Sequence, residues 1–459
     1  LMMLWKSKWF KRISLGIFGF VVALIIYGLL QLIEPIKVAP ITNSSVQFNG
    51  RALLIASDAD MVATAYADAK LDRVAGIEDT LTAIDLPLNQ KRPQVNTLQV
   101  SNSVMSWPQI IATSPNGTKA YIVEVRARPA DGIQEFESID EMPEGRKLTV
   151  VDISNPTKPQ MIESVDVGRN PEHISISPDG RFLAVNIGEQ ERELLIIQLQ
   201  SDGKLGKRFY FSIPSTGIDT DNQTVAWHPS GDYLAISQNG SQVRFYQVET
   251  DANNEVTVKP YTEAIEVGNH LSHGRFSRDG RFFLVTDLKW STWGNFRQGN
   301  FLMNPKGEMI AIRFEPSKGN SPEIVSRAEV GLSPEGFALN PDNSLIATVN
   351  MRRTYFSPNF PPVWRGKPYS SLSLVQFDKN SGKLNTLEEY GFEGLLPEQA
   401  TFDADGKSLA VVIYNYAEQS PKTGAVEFWN VVGGNKPRLE RTGFKIDVVR
   451  GAHDITLVR

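Results

Sequence analysis

The chain has 459 residues, of which 41% are hydrophobic and 22% charged, a balance that suits a folded protein and excludes a disordered one. A net charge of -5 and a pI near 5.7 leave no electrostatic footprint for nucleic acid, which is therefore not expected as a partner. The absence of cysteine excludes disulfide staples, thiol nucleophiles and cysteine-ligated zinc.

In chain order, residues 1–12 form a basic tail with Lys6, Lys8, Lys11 and Arg12. Residues 13–33 carry no charge over 21 positions, the length of a helix that crosses the hydrocarbon core. Signal-peptide apolar cores run to about 7–15 residues, so this stretch reads as an uncleaved transmembrane anchor rather than a cleaved leader. The basic flank places the N-terminus in the cytoplasm and everything after residue 33 on the periplasmic or extracellular side. Membrane lipid is thus the first expected partner. Residues 34–47, with Pro35, Pro40 and Asn43-Ser44-Ser45, read as a linker.

From residue 48 to 459 one unit recurs: a lead strand, a two-residue turn and a second apolar strand. Its copies include NPEHISISPDGRFLAVNIG, DNQTVAWHPSGDYLAISQN, HLSHGRFSRDGRFFLVTDL and SPEGFALNPDNSLIATVNM. The turn pairs are Asn49-Gly50, Asn116-Gly117, Asp179-Gly180, Ser230-Gly231, Asp279-Gly280, Asp342-Asn343 and Asp405-Gly406. Each ends in Gly or Asn, the residues that tolerate positive φ in a tight hairpin. Gaps of 67, 63, 51, 49, 63 and 63 residues leave room for four short strands per unit. No long 3.6-residue period follows residue 33. The spacing therefore predicts an all-β fold, a seven-bladed β-propeller. The terminal GAHDITLVR matches only the start of a unit, so it is expected to close the ring by pairing with the blade that begins at Phe48.

The phrases NPEHISISPDGRFLAVN and SPEGFALNPDNSLIATVN resemble the repeats of the YVTN and lactonase-like seven-bladed propellers, a group that includes bacterial 6-phosphogluconolactonases. The resemblance spans residues 48–459 and implies a His with Arg and Glu at the channel mouth. His173, Glu172, His273 and Arg275 supply those types as catalytic candidates. Where relatives often read Pro-Arg-His, this chain has Pro-Glu-His once and Pro-Glu-Gly or Pro-Glu-Gln elsewhere.

In a propeller, the starts of the lead strands and the loops joining second to third strands emerge on one face. Candidate ligand-binding residues there are Arg126, Asn186, Trp290, Trp293, Arg297, Glu335, Asn350, Arg352, Arg353, Glu398 and Asn415. Arg with Trp and Tyr on long loops suits a protein hot spot, or stacking and forked hydrogen bonds to a sugar-like or anionic ligand. No cofactor is expected. The alternative is a divalent metal held by His173, His273 and His453, against their being separate polar residues lining the channel. Asp58-Ala-Asp60 lacks a full calcium-ligand loop, so it reads as a turn element. G-x-S-x-G, P-loop, dinucleotide and H-E-x-x-H motifs are absent.

Phosphogluconate chemistry in the cytosol does not fit behind a membrane anchor. The first expectation is therefore a tethered binding or scaffold propeller for a protein complex, an envelope polymer or an anionic ligand. The second is a lactonase-like hydrolase or isomerase with its site at the channel mouth.

Overall fold

Chain reversal at the turn pairs sets the architecture. Gly117, Gly180, Gly231, Gly280, Asn343 and Gly406 lie at φ of 67°, 72°, 84°, 76°, 59° and 70°, and each folds two strands back to back. The computed structural model describes residues 16–23, 25–26, 36–213, 224–290, 305–356, 367–416 and 420–459. Among them the strands form seven antiparallel sheets of four or five strands, the seven blades expected from the repeats.

Blade one runs outward from Ala452–Val458 through Ala52–Ser57 and Thr80–Asp85 to Val95–Gln99. Blades two to seven have their innermost strands at Ile111–Thr113, Pro171–Ile176, Thr224–Trp227, Leu271–Phe276, Pro334–Leu339 and Ala400–Phe402. The second strands Phe182–Ile187, Phe282–Asp287, Leu345–Asn350 and Ser408–Ile413 are buried at every position, since neighbouring blades cover both faces. The edge strand Val95–Gln99 alternates in exposure instead.

The C-terminal strand closes the ring as expected, pairing Ala52 with Val458, Leu54 with Thr456 and Ala56 with Asp454. This pairing removes two open sheet edges at once. One expectation needs correcting. Asn49-Gly50 is not a hairpin turn, because the strands it would join belong to opposite ends of the chain. Asn49 instead bonds to blade seven, its amide N–H donating to Asp403 Oδ2 at 3.2 Å and its side-chain NH2 to Asp405 Oδ2 at 2.6 Å.

Within the expected linker 34–47, the described residues lie along the outer edges of blades six and seven. Val38 makes a parallel bridge to Gly391, and Ile41 to Arg441. Ala39, Val46 and Phe48 are buried. A Cβ at Gly391 would stand 2.9 Å from Ile36 Cγ1 and 3.1 Å from the Lys37 carbonyl, so this close approach depends on glycine. Gly391→Val should therefore lift the strap while leaving the blade paired. Trypsin should then cut after Lys37 within minutes, with the melting temperature of the remaining body nearly unchanged. Protection equal to wild type would contradict this.

Of the expected transmembrane run 13–33, residues 16–23 and 25–26 are described and helical, with Ile17, Phe18, Phe20, Ile25 and Ile26 exposed. Its other residues, and the basic tail, lie outside the described residues. Among the described residues no helix is long and apolar enough to cross a membrane.

Candidate functional site

The face that carries the starts of the innermost strands does not open freely to solvent. Four insertions fold over it: the blade-one loop 58–79 with its short helix Ala65–Asp68, segment 100–107, the blade-two loop 124–146, and residues 351–356 of blade six. They share an apolar cluster of Met61, Leu71, Val104, Trp107, Met142, Leu288, Met351, Tyr355, Phe356, Leu396 and Tyr414. Tyr66 donates to the Val104 carbonyl at 2.8 Å, and Tyr414 to the Met61 carbonyl at 2.6 Å. Trp290 belongs to this cap. Its indole N–H donates to Ser333 Oγ at 3.0 Å, and its ring lies 5.4 Å from His270 and 5.5 Å from Tyr355. The expected exposed aromatic surface is thus, for Trp290, internal packing. Trp293 and Arg297 lie outside the described residues.

Beneath the cap sit buried titratable groups. Glu335 and Glu398 are 4% and 1% exposed, and Oε2 of each has no hydrogen-bond partner. Burial raises both carboxyls well above the usual range, and for Glu398 the neighbouring Glu335, Asp454 and Asp58 add to it. Burial thus favours the neutral, protonated form of both acids. Their charge would also reach Tyr66, whose hydroxyl is raised by burial first and then by Glu398 and Glu335.

His173 and His273 meet with ring centroids 5.9 Å apart, both fully buried. His173 Nδ1 accepts the Val225 amide at 3.2 Å, so its proton sits on Nε2. His273 Nδ1 lies 3.1 Å from the Pro108 carbonyl and must donate to it, leaving the Nε2 lone pair free. Neither Nε2 has a partner. Burial pushes His173 down to about 3 and His273 well below its ordinary value, so both rings are neutral. His453 turns elsewhere, with Nε2 2.8 Å from Asn102 Oδ1 and Nδ1 3.9 Å from Glu398 Oε2.

This geometry corrects several expectations. The three histidines do not converge on one point: among the described residues, only Asp58, Asp60 and Asp79 bring three ligand-type atoms within 4.8 Å of one another. Those carboxylates are already engaged. Asp58 accepts the amides of Asp60 and Val104, each at 2.9 Å, and Asp79 accepts those of Ala59 at 2.9 Å and Asn102 at 3.2 Å. Asp60 faces Arg128 at 3.4 Å and Arg73 at 3.9 Å, and burial raises it to about 7. The trio therefore ties the cap loop to the propeller.

Asn350 is spent too. Its NH2 donates to Ser371 and Ser373 at 3.1 and 3.0 Å, and its carbonyl oxygen accepts Thr348 at 3.0 Å. Arg352 pairs with Glu389 at 3.5 Å. Arg353 is buried, and the backbone of Arg126 forms an isolated antiparallel β-bridge with that of Glu144 across its own loop. Asn186 is buried opposite His173 in register, and Asn415 pairs with Leu395 at the cap margin. Glu172 is buried, its carbonyl accepting Ser106 Oγ at 2.6 Å. Arg275 lies two residues past His273, toward the opposite end of the channel, and so is apart from the two acids.

The profile of the family described as Lactonase, 7-bladed beta-propeller matches residues 80–418. The chain belongs to that family. Among curated relatives of this lactonase-family propeller, a 6-phosphogluconolactonase of Formosa agariphila is 24% identical over 336 residues, 70% of this chain and 82% of the relative. Among solved structures, the periplasmic gluconolactonase of Pseudomonas aeruginosa superposes with a TM-score of 0.60 at 16% identity, covering 89% of this chain and 99% of that one. A putative 6-phosphogluconolactonase of Bacteroides uniformis gives 0.60 at 14% identity over 89% and 100%. At such identities these structures establish the shared fold.

Proposed function

We propose that the protein is a hydrolase of sugar-type lactones, working at the buried polar groups under the cap, and that residues 13–33 tether it to a membrane. Family membership favours this reading over a scaffold. The observation that carries it is that four of the buried polar atoms without partners lie on, or just ahead of, the innermost strands: Oε2 of Glu335 and Glu398, and Nε2 of His173 and His273. Unsatisfied buried polar groups cost free energy, and a polar ligand reaching them would offset it. The chemistry fits ester cleavage. The free lone pair of His273 accepts a proton from the attacking water, and a protonated Glu335 or Glu398 donates one to the departing ring oxygen. The His173 N–H is placed to favour charge on the former carbonyl oxygen. Substrate entry requires the cap to move.

Burial favours the neutral form of both acids and both imidazoles, which suits an uncharged lactone rather than a phosphorylated one. A gluconolactonase of this fold is described as periplasmic, so a lactonase and a membrane tether do not exclude each other. Hydrolysis of δ-gluconolactone, followed by proton release, tests the reading. Glu398→Gln and His273→Gln should each lower kcat about 100-fold with the circular dichroism spectrum unchanged. Wild-type protein with no turnover on any aldonolactone would overturn it.

A further inference from the structure

The chain enters three of the innermost strands by one conformation. Asn170, Ser333 and Leu396 each precede a proline and then a glutamate, and they lie at φ of 43°, 50° and 43°. All three are buried. In blades six and seven the side chain at this position meets the cap: Ser333 Oγ accepts the Trp290 indole N–H at 3.0 Å, and Leu396 joins the cap's apolar cluster. Asn170 holds the same place in blade three. The cap reaches that blade too, with Ser106 Oγ donating to the Glu172 carbonyl at 2.6 Å.

Asn170 differs from its two counterparts in what its side chain finds. Its Oδ1 and Nδ2 are both buried, and among the described residues neither has a hydrogen-bond partner. The backbone is clamped on both sides, its amide N–H donating to the Gly145 carbonyl at 2.7 Å and its carbonyl accepting the Gly188 amide at 3.3 Å. Asparagine tolerates positive φ, which accounts for the backbone conformation. It does not account for the carboxamide. Glycine would take the same φ without burying two polar atoms, and a buried amide without partners is costly. A ligand under the cap would supply both partners.

Resting on the lactonase function proposed above, we infer that Asn170 is a specificity-determining residue that hydrogen-bonds the ring hydroxyls of the substrate. A carboxamide presents an acceptor and a two-proton donor side by side, and a hydroxyl both donates and accepts. Neighbouring hydroxyls of a polyol therefore satisfy both halves of the amide. A fully ionised phosphate offers acceptors alone and would leave Oδ1 unpaired. A lactone without hydroxyls would leave both atoms unpaired, which is how a polar site rejects the analogue that lacks the group it was built to hold. The substrate class narrows to uncharged, polyhydroxylated lactones. The strand that follows carries His173, the proposed donor to the carbonyl oxygen, so one blade holds the ring and the reacting end together.

The experiment compares the full wild-type chain with Asn170→Gly, which keeps the backbone conformation and removes the amide. The preference in kcat/KM for δ-gluconolactone over δ-valerolactone, which lacks the hydroxyls, should fall about tenfold, through KM rather than kcat. Thermal melting with δ-gluconolactam, an unreactive analogue, should show a saturable rise in wild type and about tenfold weaker binding in the variant. Asn170→Ser, which keeps one hydroxyl, should fall between the two. Without ligand, Asn170→Gly should melt no lower than wild type. A lower melting temperature would make the amide a support of the fold and overturn the proposal. An unchanged preference in the variant would overturn it and leave the lactonase function standing. Wild type without turnover, but with lactam binding that depends on Asn170, would overturn the lactonase function alone. Wild type that neither hydrolyses the lactone nor binds the lactam would overturn both.

Discussion

Gly451→Ala is expected to destabilise the protein more than other single-methyl additions, by about 3 kcal/mol or more. Gly451 joins blade seven to the closing strand at φ 92°, and an added Cβ would lie 1.7 Å from the Asp58 carbonyl oxygen. Its amide donates to the Tyr414 carbonyl at 2.9 Å, and its own carbonyl accepts the Asp58 amide at 2.9 Å. Neither backbone can retreat without breaking those bonds. Gly132→Ala is the control. Gly132 has φ 88° but nothing within 4 Å of an added Cβ, so only the dihedral penalty of about 1 kcal/mol applies. Chemical denaturation of both variants separates clash from backbone strain. Equal losses would show that the seam at Gly451 yields.

Stability contributed by the buried acids should fall as pH rises past the ordinary carboxylate range, because burial holds their protons on in the folded state. In the unfolded chain Glu335, Glu398 and Asp79 are ionised by pH 6, whereas burial raises all three well above their ordinary values in the fold. The folded state then binds more protons than the unfolded one. Each group subtracts up to ~1.4 kcal/mol per pH unit until its folded pKa is passed. Asp60, at about 7, and Asp454, at about 6, complete their share earlier. The histidines act with the opposite sign and in another window. His173 and His453, depressed to about 3, add stability as pH climbs from 3 toward 6.5 and are neutral in both states above that. The expected outcome is a loss of stability from the buried acids as pH rises above the ordinary carboxylate range, set against the gain from the histidines up to about pH 6.5. The double variant Glu335→Gln, Glu398→Gln should flatten that loss. A wild-type melting temperature that rises from pH 7 to 9 would rule out the buried-acid account.

The ring was readable in the sequence because its determinants are local. Six hairpins announce themselves through Gly or Asn at positive φ, and Ala452–Val458 repeats the start of a unit. The seventh turn pair misled, since a two-residue signal does not reveal that the chain arrives there from outside the blade. The cap was not readable at all. Met61, Val104, Met142, Met351 and Leu396 come from separate insertions, with no period to mark them as one cluster. The sequence therefore leaves Trp290 open between a binding surface and packing within its loop, and its half-buried ring packs against His270 and Tyr355. Facing positions on different blades were legible, which is why Glu335, Glu398, His173 and His273 could be grouped on one face from the sequence. Their reach across the channel was not, because it depends on how far the blades lean inward. Asp79 could have been grouped with Asp58 and Asp60 only by knowing that loop 58–79 returns to its starting strand.

The strap along blades six and seven also sets a path for mechanical load. Between Lys37 and Thr42 it is held by backbone bonds to Gly391 and Arg441 of 2.8 to 2.9 Å, then by Asn430 at Ser44 and Ser45, each at 3.1 Å. A pull on the segment before residue 36 therefore enters through the outer strands of two blades. It reaches the Ala452–Val458 seam only after these attachments have been stripped one after another. The weakest topological point of the ring, where the two chain ends meet, is shielded from traction on the N-terminal side.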